Sequence, residues 1–151
     1  MPLIDMGWLR EHVSIPENET YAQLAADLVK VGLEEEAVHE GDVTGPIVVG
    51  YVEDLVREPQ KNGKTISWCH IDVGPYNVQD GEGNTVPRSI VCGAPNIAQG
   101  EKVAVALPGA VLPGGFRIEP RKTYGHMSEG MCASARELGI SDDHEGIILL
   151  R

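Results

Sequence analysis

Between Phe116 and Arg136, four cations (Arg117, Arg121, Lys122 and Arg136) stand against two carboxylates, Glu119 and Glu129, with Tyr124 and His126 interleaved. Guanidinium and ammonium groups neutralise phosphates, and flat rings offer surfaces on which unpaired bases stack. The pattern therefore suits a surface that meets RNA. It equally describes a solvated loop whose charges keep it soluble. Lys61 and Lys64 flank an Asn62-Gly63 turn and belong either to that surface or to simple turn solubility. Ser128 is placed either to donate to a phosphate or to cap the turn around Gly130. The candidate RNA contacts are thus Lys61, Lys64, Arg117, Arg121, Lys122, Tyr124, His126, Ser128 and Arg136.

Other chemistries find little support. Gly109, Gly114 and Gly115 sit beside prolines without the Lys-Ser or Lys-Thr ending of a phosphate-cradling loop, and read as shaping a turn. His126 and Cys132 lie six residues apart and Asp142, Asp143 and His144 are adjacent, but neither spacing reproduces a zinc ligand set. Cys69, Cys92 and Cys132 are odd in number with no close pair, so they read as small core hydrophobes. Nothing near them specifies the base and cationic environment that a cysteine nucleophile needs. Met131 reads as core packing. No catalytic residue, metal or cofactor is expected within the chain.

Charge and length narrow the class. A chain of 151 residues fits one domain with an appendage, and its apolar share of 42%, with a single phenylalanine, implies a core of Val, Ile, Leu and Ala. The net charge of −11 argues against a strong sequence-independent binder of nucleic acid, DNA included. Its distribution matters more. Residues 1–42 hold two basic and ten acidic side chains, whereas residues 43–141 hold nine and ten. No apolar run approaches the roughly 18 residues of a membrane span, and the first residues lack a signal-peptide pattern, so a cytoplasmic protein is expected.

Two kinds of element must position these groups. In residues 1–42, Asp5 is placed to cap a short helix carrying Trp8 and Leu9. Thr20 and Gln23 form a capping box for a second helix with an apolar stripe of Tyr21, Leu24, Ala25, Leu28 and Val31, ended by Gly32. Leu33 to Val38 reads as strand or linker. From residue 43 onward the periodicity is strand-like: Ile47 to Val56, then Thr65 to Val73 with Cys69, Ile71 and Val73 on one face and His70 and Asp72 on the other. An exposed turn at Asp80 to Asn84, strands at Arg88 to Cys92 and Lys102 to Leu107, and an apolar stretch from Leu112 to Ile118 follow. A short helix at Ser134 to Leu138, ended by Gly139, and a last strand at Gly146 to Leu150 complete the pattern. Many short strands with one small helix predict a mainly β protein: a five-stranded barrel of the oligonucleotide-binding (OB) type over 43–151, behind a small helical segment over 1–42. The last strand ends without a turn or polar tail, which reads as a chain cut from something longer.

The stretch Ile90-Val91-Cys92-Gly93-Ala94-Pro95-Asn96-Ile97, followed by Ala106-Leu107-Pro108-Gly109-Ala110-Val111-Leu112-Pro113-Gly114-Gly115, resembles the tRNA-binding domain of bacterial phenylalanyl-tRNA synthetase β subunits. So does Ser128-Glu129-Gly130-Met131-Cys132-Ala133-Ser134-Ala135-Arg136-Glu137-Leu138-Gly139-Ile140, and Trp8-Leu9-Arg10-Glu11 and Val31-Gly32-Leu33-Glu34 match the segment before the barrel. The resemblance implies a tRNA-binding module of a ligase of two α and two β subunits that charges tRNA with phenylalanine using ATP and Mg²⁺, with the active site on the α subunit. It also implies that residues 1–42 belong to a discontinuous domain completed by chain beyond Arg151. Two segments depart from the pattern. The His-Pro-Asn-Ala-Asp-Lys-Leu loop of related modules is here Glu58-Pro59-Gln60-Lys61-Asn62-Gly63-Lys64-Thr65, and Leu-Arg-Gly-Val is here Thr123-Tyr124-Gly125-His126. A structural spacer or protein-docking barrel, and a free-standing tRNA-binding protein, stand as alternatives.

Overall fold

A computed structural model of the chain describes residues 4–33 and 41–151. Contacts divide the chain into two compact units, Met1–Gly41 and Asp42–Arg151.

The first unit holds α1 (Met6–His12) and α2 (Tyr21–Lys30). Asp5 caps α1 by accepting the Trp8 N–H at 3.0 Å, and Thr20 and Gln23 form the expected reciprocal box at 2.9 and 3.2 Å. Gly32, at φ +88°, lets the Leu33 N–H turn back to the Leu28 carbonyl at 3.0 Å and close the last turn of α2. Of the apolar stripe, Ala25 is buried while Tyr21, Leu28 and Val31 are exposed, as is Trp8. From residue 34 on, the strand or linker expected between Leu33 and Val38 lies outside the described residues.

In the second unit β1 (Ile47–Pro59) turns through Gln60–Lys64 into β2 (Thr65–Asp72). A small hairpin of β3 (Val78–Gln79) and β4 (Thr85–Val86) follows, its tip tied by Asp80, which accepts the Glu82 and Asn84 N–H groups at 2.8 and 2.9 Å. Next come β5 (Arg88–Cys92) and β6 (Lys102–Ala106). Two further hairpins, β7 (Val111–Leu112) with β8 (Phe116–Arg117) and β9 (Arg121–Thr123) with β10 (His126–Ser128), precede β11 (Met131–Cys132) and β12 (Leu149–Leu150). The main sheet runs β11-β6-β1-β2-β5, antiparallel throughout, with β12 also on β6.

Curling brings the two ends of this sheet together, and residues 128–130 bridge them. The Glu129 N–H donates to the Ser89 carbonyl at 2.8 Å. The Ser128 hydroxyl accepts the Val91 N–H at 3.0 Å and donates to the Gly130 carbonyl at 3.0 Å. The result is a nearly closed five-strand barrel of the OB type. Strand alternation fills it: Val52, Cys69, Ile71, Ile90, Val103 and Val105 are fully buried, each aliphatic side chain contributing about 1.5–3 kcal/mol. Ala106, Ala110, Leu112 and Ile118 form a second cluster. All three cysteines are buried and unpaired, and burial pushes the Cys69 thiol up to about 12, so it remains protonated and packs as a hydrophobe.

Two expectations change. Ser134 to Leu138 is not a helix but a run of turns. Ser134 and Glu137 do make reciprocal capping bonds at 2.6 and 3.2 Å, but Gly139 at φ +70° ends the turn before a nucleus can propagate. The last strand shortens to Leu149–Leu150, because Asn96 holds both the N–H and the carbonyl of Ile147 by its side-chain amide and keeps that residue out of the ladder. Leu112 to Ile118 folds back on itself, since Gly114 and Gly115 both take positive φ.

Two substitutions test this packing. A Cβ at Gly50 would stand 2.5 Å from Ile71 Cγ2 and 2.8 Å from Val105 Cγ2, so Gly50→Ala should lower stability by about 1–3 kcal/mol in urea unfolding. Ser128→Ala strands the Val91 N–H at the barrel seam and should cost about 1–3 kcal/mol by the same measurement. An unchanged midpoint in either variant would contradict the corresponding contact.

Candidate nucleic-acid interface

The β9–β10 hairpin is built on a two-residue turn, Tyr124-Gly125, in which both residues have positive φ, at +50° and +84°. This is the backbone twist that a tight hairpin requires, and it is usually met by Asn-Gly rather than by an aromatic residue. The ring of Tyr124 is exposed at the tip, and Arg121 and Lys122 are exposed along the adjoining strand.

His126 fastens this hairpin to the barrel. Its ring stacks on Trp68, with centroids 4.2 Å apart and planes inclined by 15°. Its Nε2 meets both carboxylate oxygens of Glu58 at 2.9 and 3.0 Å. Trp68 is itself oriented by an Nε1–H bond to the Ser89 hydroxyl at 2.6 Å and by the edge of His70, whose Nδ1 lies 2.6 Å from Asp54. Glu58 ends β1 just before the turn that carries the exposed Lys61 and Lys64. The hairpin and that turn are therefore linked through one histidine.

Arg117, Arg121, Phe116, Thr123, Val91 and Met131 line a cleft of about 160 Å³. Glu119 stands 4.0 Å from Arg117. Val91, Phe116 and Met131 continue into a wider, open groove of about 920 Å³, where Arg136 stands among Glu137, His144 and Glu145. Among the described residues, Arg121, Lys122 and Arg136 have no ion-pair partner. Arg57 and Arg88 point their guanidinium groups at backbone carbonyls of Ile97 and Glu129, at 2.8 and 3.2 Å, and serve the fold.

Of the residues singled out from sequence, Arg117 and Arg121 share the cleft, while Lys122, Tyr124 and His126 share the adjoining hairpin. Lys61 and Lys64 lie in the turn after the carboxylate that His126 holds. Arg136 lies apart in the wider groove. Ser128 is 7% exposed and its hydroxyl is engaged on both sides within the seam, which is the capping geometry of the two left open for it. Sequence reasoning passed over Trp68, Glu58 and Phe116. Trp68 shares the outward parity of His70, a signal that could have found it.

Residues 47–151 match the family described as "Putative tRNA binding domain". The whole chain is 69% identical to the phenylalanine–tRNA ligase beta subunit of Bifidobacterium longum, aligning over 100% of this chain and 18% of that protein. The subunits of the same name from Leifsonia xyli and Thermobifida fusca are 52% and 51% identical, over 97% of this chain and 18% and 17% of theirs. The chain thus spans under one fifth of the length of the curated relatives it matches. With a nearly closed OB-type barrel, exposed unpaired cations on its hairpins and a family match over the entire barrel, the chain belongs to the family of tRNA-binding domains.

Proposed function

We propose that this chain is the tRNA-docking module of a phenylalanine–tRNA ligase beta subunit, acting in the cytoplasm. It supports ATP-dependent attachment of phenylalanine to tRNA by a larger protein that includes an α subunit. The observation that carries the reading is the His126 fastening, which holds in place the hairpin that carries the exposed Arg121, Lys122 and Tyr124. ATP and Mg²⁺ would serve the ligase reaction elsewhere. No step of that reaction is assigned to this chain.

An acidic chain can bind tRNA usefully if it is tethered to other contacts. A weak module joined to them at suitable geometry gains effective concentration without any new interaction, and overall avidity can rise by orders of magnitude. The module itself then needs only a few phosphate contacts. Ten of the acidic side chains lie in residues 1–42, away in sequence from the hairpins that carry the free cations.

Two measurements follow. Fluorescence anisotropy of labelled tRNA with the 151-residue protein at about 50 and 200 mM salt should show weakening with salt. An Arg117/Arg121/Lys122 triple alanine variant should bind about tenfold or more weakly, with a shallower salt slope. Absence of binding at either salt would leave the barrel as a spacer. The second measurement is a double-mutant cycle. His126→Ala should weaken tRNA binding several-fold, and Arg121→Ala should cost less in that background than in the parent, because the fastening and the cation act through one hairpin. Simple additivity would separate them.

A further inference from the structure

We infer that the cleft between β8 and β9 is a subsite for a single unstacked RNA base, with Phe116 as its stacking platform and Arg117 and Arg121 as clamps for the flanking phosphates. This inference rests on the tRNA-docking reading and specifies which kind of RNA element the surface takes.

Size comes first. At about 160 Å³ the cleft is smaller than the roughly 300 Å³ of ordinary ligand pockets and opens at Val91, Phe116 and Met131 into the wider groove, so its own volume suits one planar ring system. A base still in a duplex would have to be unpaired and unstacked to enter, at a cost of a few kcal/mol, whereas a loop or single-stranded nucleotide enters without that cost. Its lining comes next. Phe116, the only phenylalanine of the chain, is 50% exposed and shares the lining with the apolar Val91 and Met131. An exposed aromatic ring in a cleft lining is a stacking partner open to any base, and a thioether such as that of Met131 packs well against aromatic edges.

Charge then decides where the strand can run. The cleft lining carries Arg117 and Arg121 against one carboxylate, Glu119. The wider groove, by contrast, carries Glu137 and Glu145 against Arg136. A phosphate backbone is therefore drawn across the cleft toward the hairpin rather than along the groove. Hydroxyl groups that could read base edges are few, since the Ser128 hydroxyl is engaged in the seam and Thr123 is the other in the lining, and the two guanidinium groups are assigned to phosphate. The subsite should hence accept bases by stacking and show little preference among sequences.

The test uses the 151-residue protein with three labelled probes at about 50 mM salt: a mixed-sequence single-stranded RNA of about 12 nucleotides, a blunt duplex of the same sequence, and tRNA. Single strand should bind about tenfold more tightly than duplex. Phe116→Ala should abolish that advantage without changing the salt slope, and Phe116→Trp should restore it. Half burial of Phe116 predicts that the alanine variant stays folded and loses only a few degrees of melting temperature. If tRNA binds in a salt-dependent way but duplex equals single strand, or Phe116→Ala changes nothing, the subsite is wrong and the docking module stands. Loss of all RNA binding would overturn both.

Discussion

The seam between β5 and β11 is the constraint on which the rest of the domain depends. A curled sheet of short strands leaves two rows of backbone donors and acceptors that must be satisfied, and here the row on β5 is met by a three-residue segment rather than by a full strand. That segment can do so because Ser128 contributes a hydroxyl that both accepts and donates, and because Gly130 has no side chain to strike the Ala106 carbonyl 3.1 Å away. Fixing residues 128–130 fixes the direction in which the preceding hairpin leaves the barrel. The hairpin can then reach Trp68 and Glu58.

Electrostatics and geometry thereby divide the work. The total charge is strongly negative, yet apart from Arg136 the candidate cations that could meet phosphate are collected on the β8 to β10 hairpins and the turn after β1, while Arg57 and Arg88 are consumed by carbonyls of the fold. Total charge is a poor guide when a few side chains on two loops decide what a surface can touch. Glu58, whose carboxylate meets the hairpin, does not repel the RNA side so much as hold His126 in place.

Much of the fold was legible in sequence because it is local. The caps of α2, the alternation of β2 and the Asp80 turn follow from neighbours within a few residues, and each was found where expected. Ser134 to Leu138 misled for the same reason. Its capping pair is real, but a single turn closed off by Gly139 cannot offset the cost of helix nucleation. The candidate site was legible only in part. Arg117, Arg121, Lys122, Tyr124 and His126 declared themselves by type and proximity in the chain. The stack of His126 on Trp68 and the meeting of Phe116 with Val91 and Met131 join distant segments, and no periodicity encodes them.

Tyr124 holds a left-handed backbone that costs an L-residue with a Cβ about 1–2 kcal/mol, at a turn where Asn or Gly would sit with little strain. Anyone seeking a more heat-resistant version of this domain would be led to that position first, and the substitution that relaxed the turn would erase the ring at its tip. Ease of folding and surface chemistry pull in opposite directions at this one residue, so robustness gained there would be gained by blunting the hairpin.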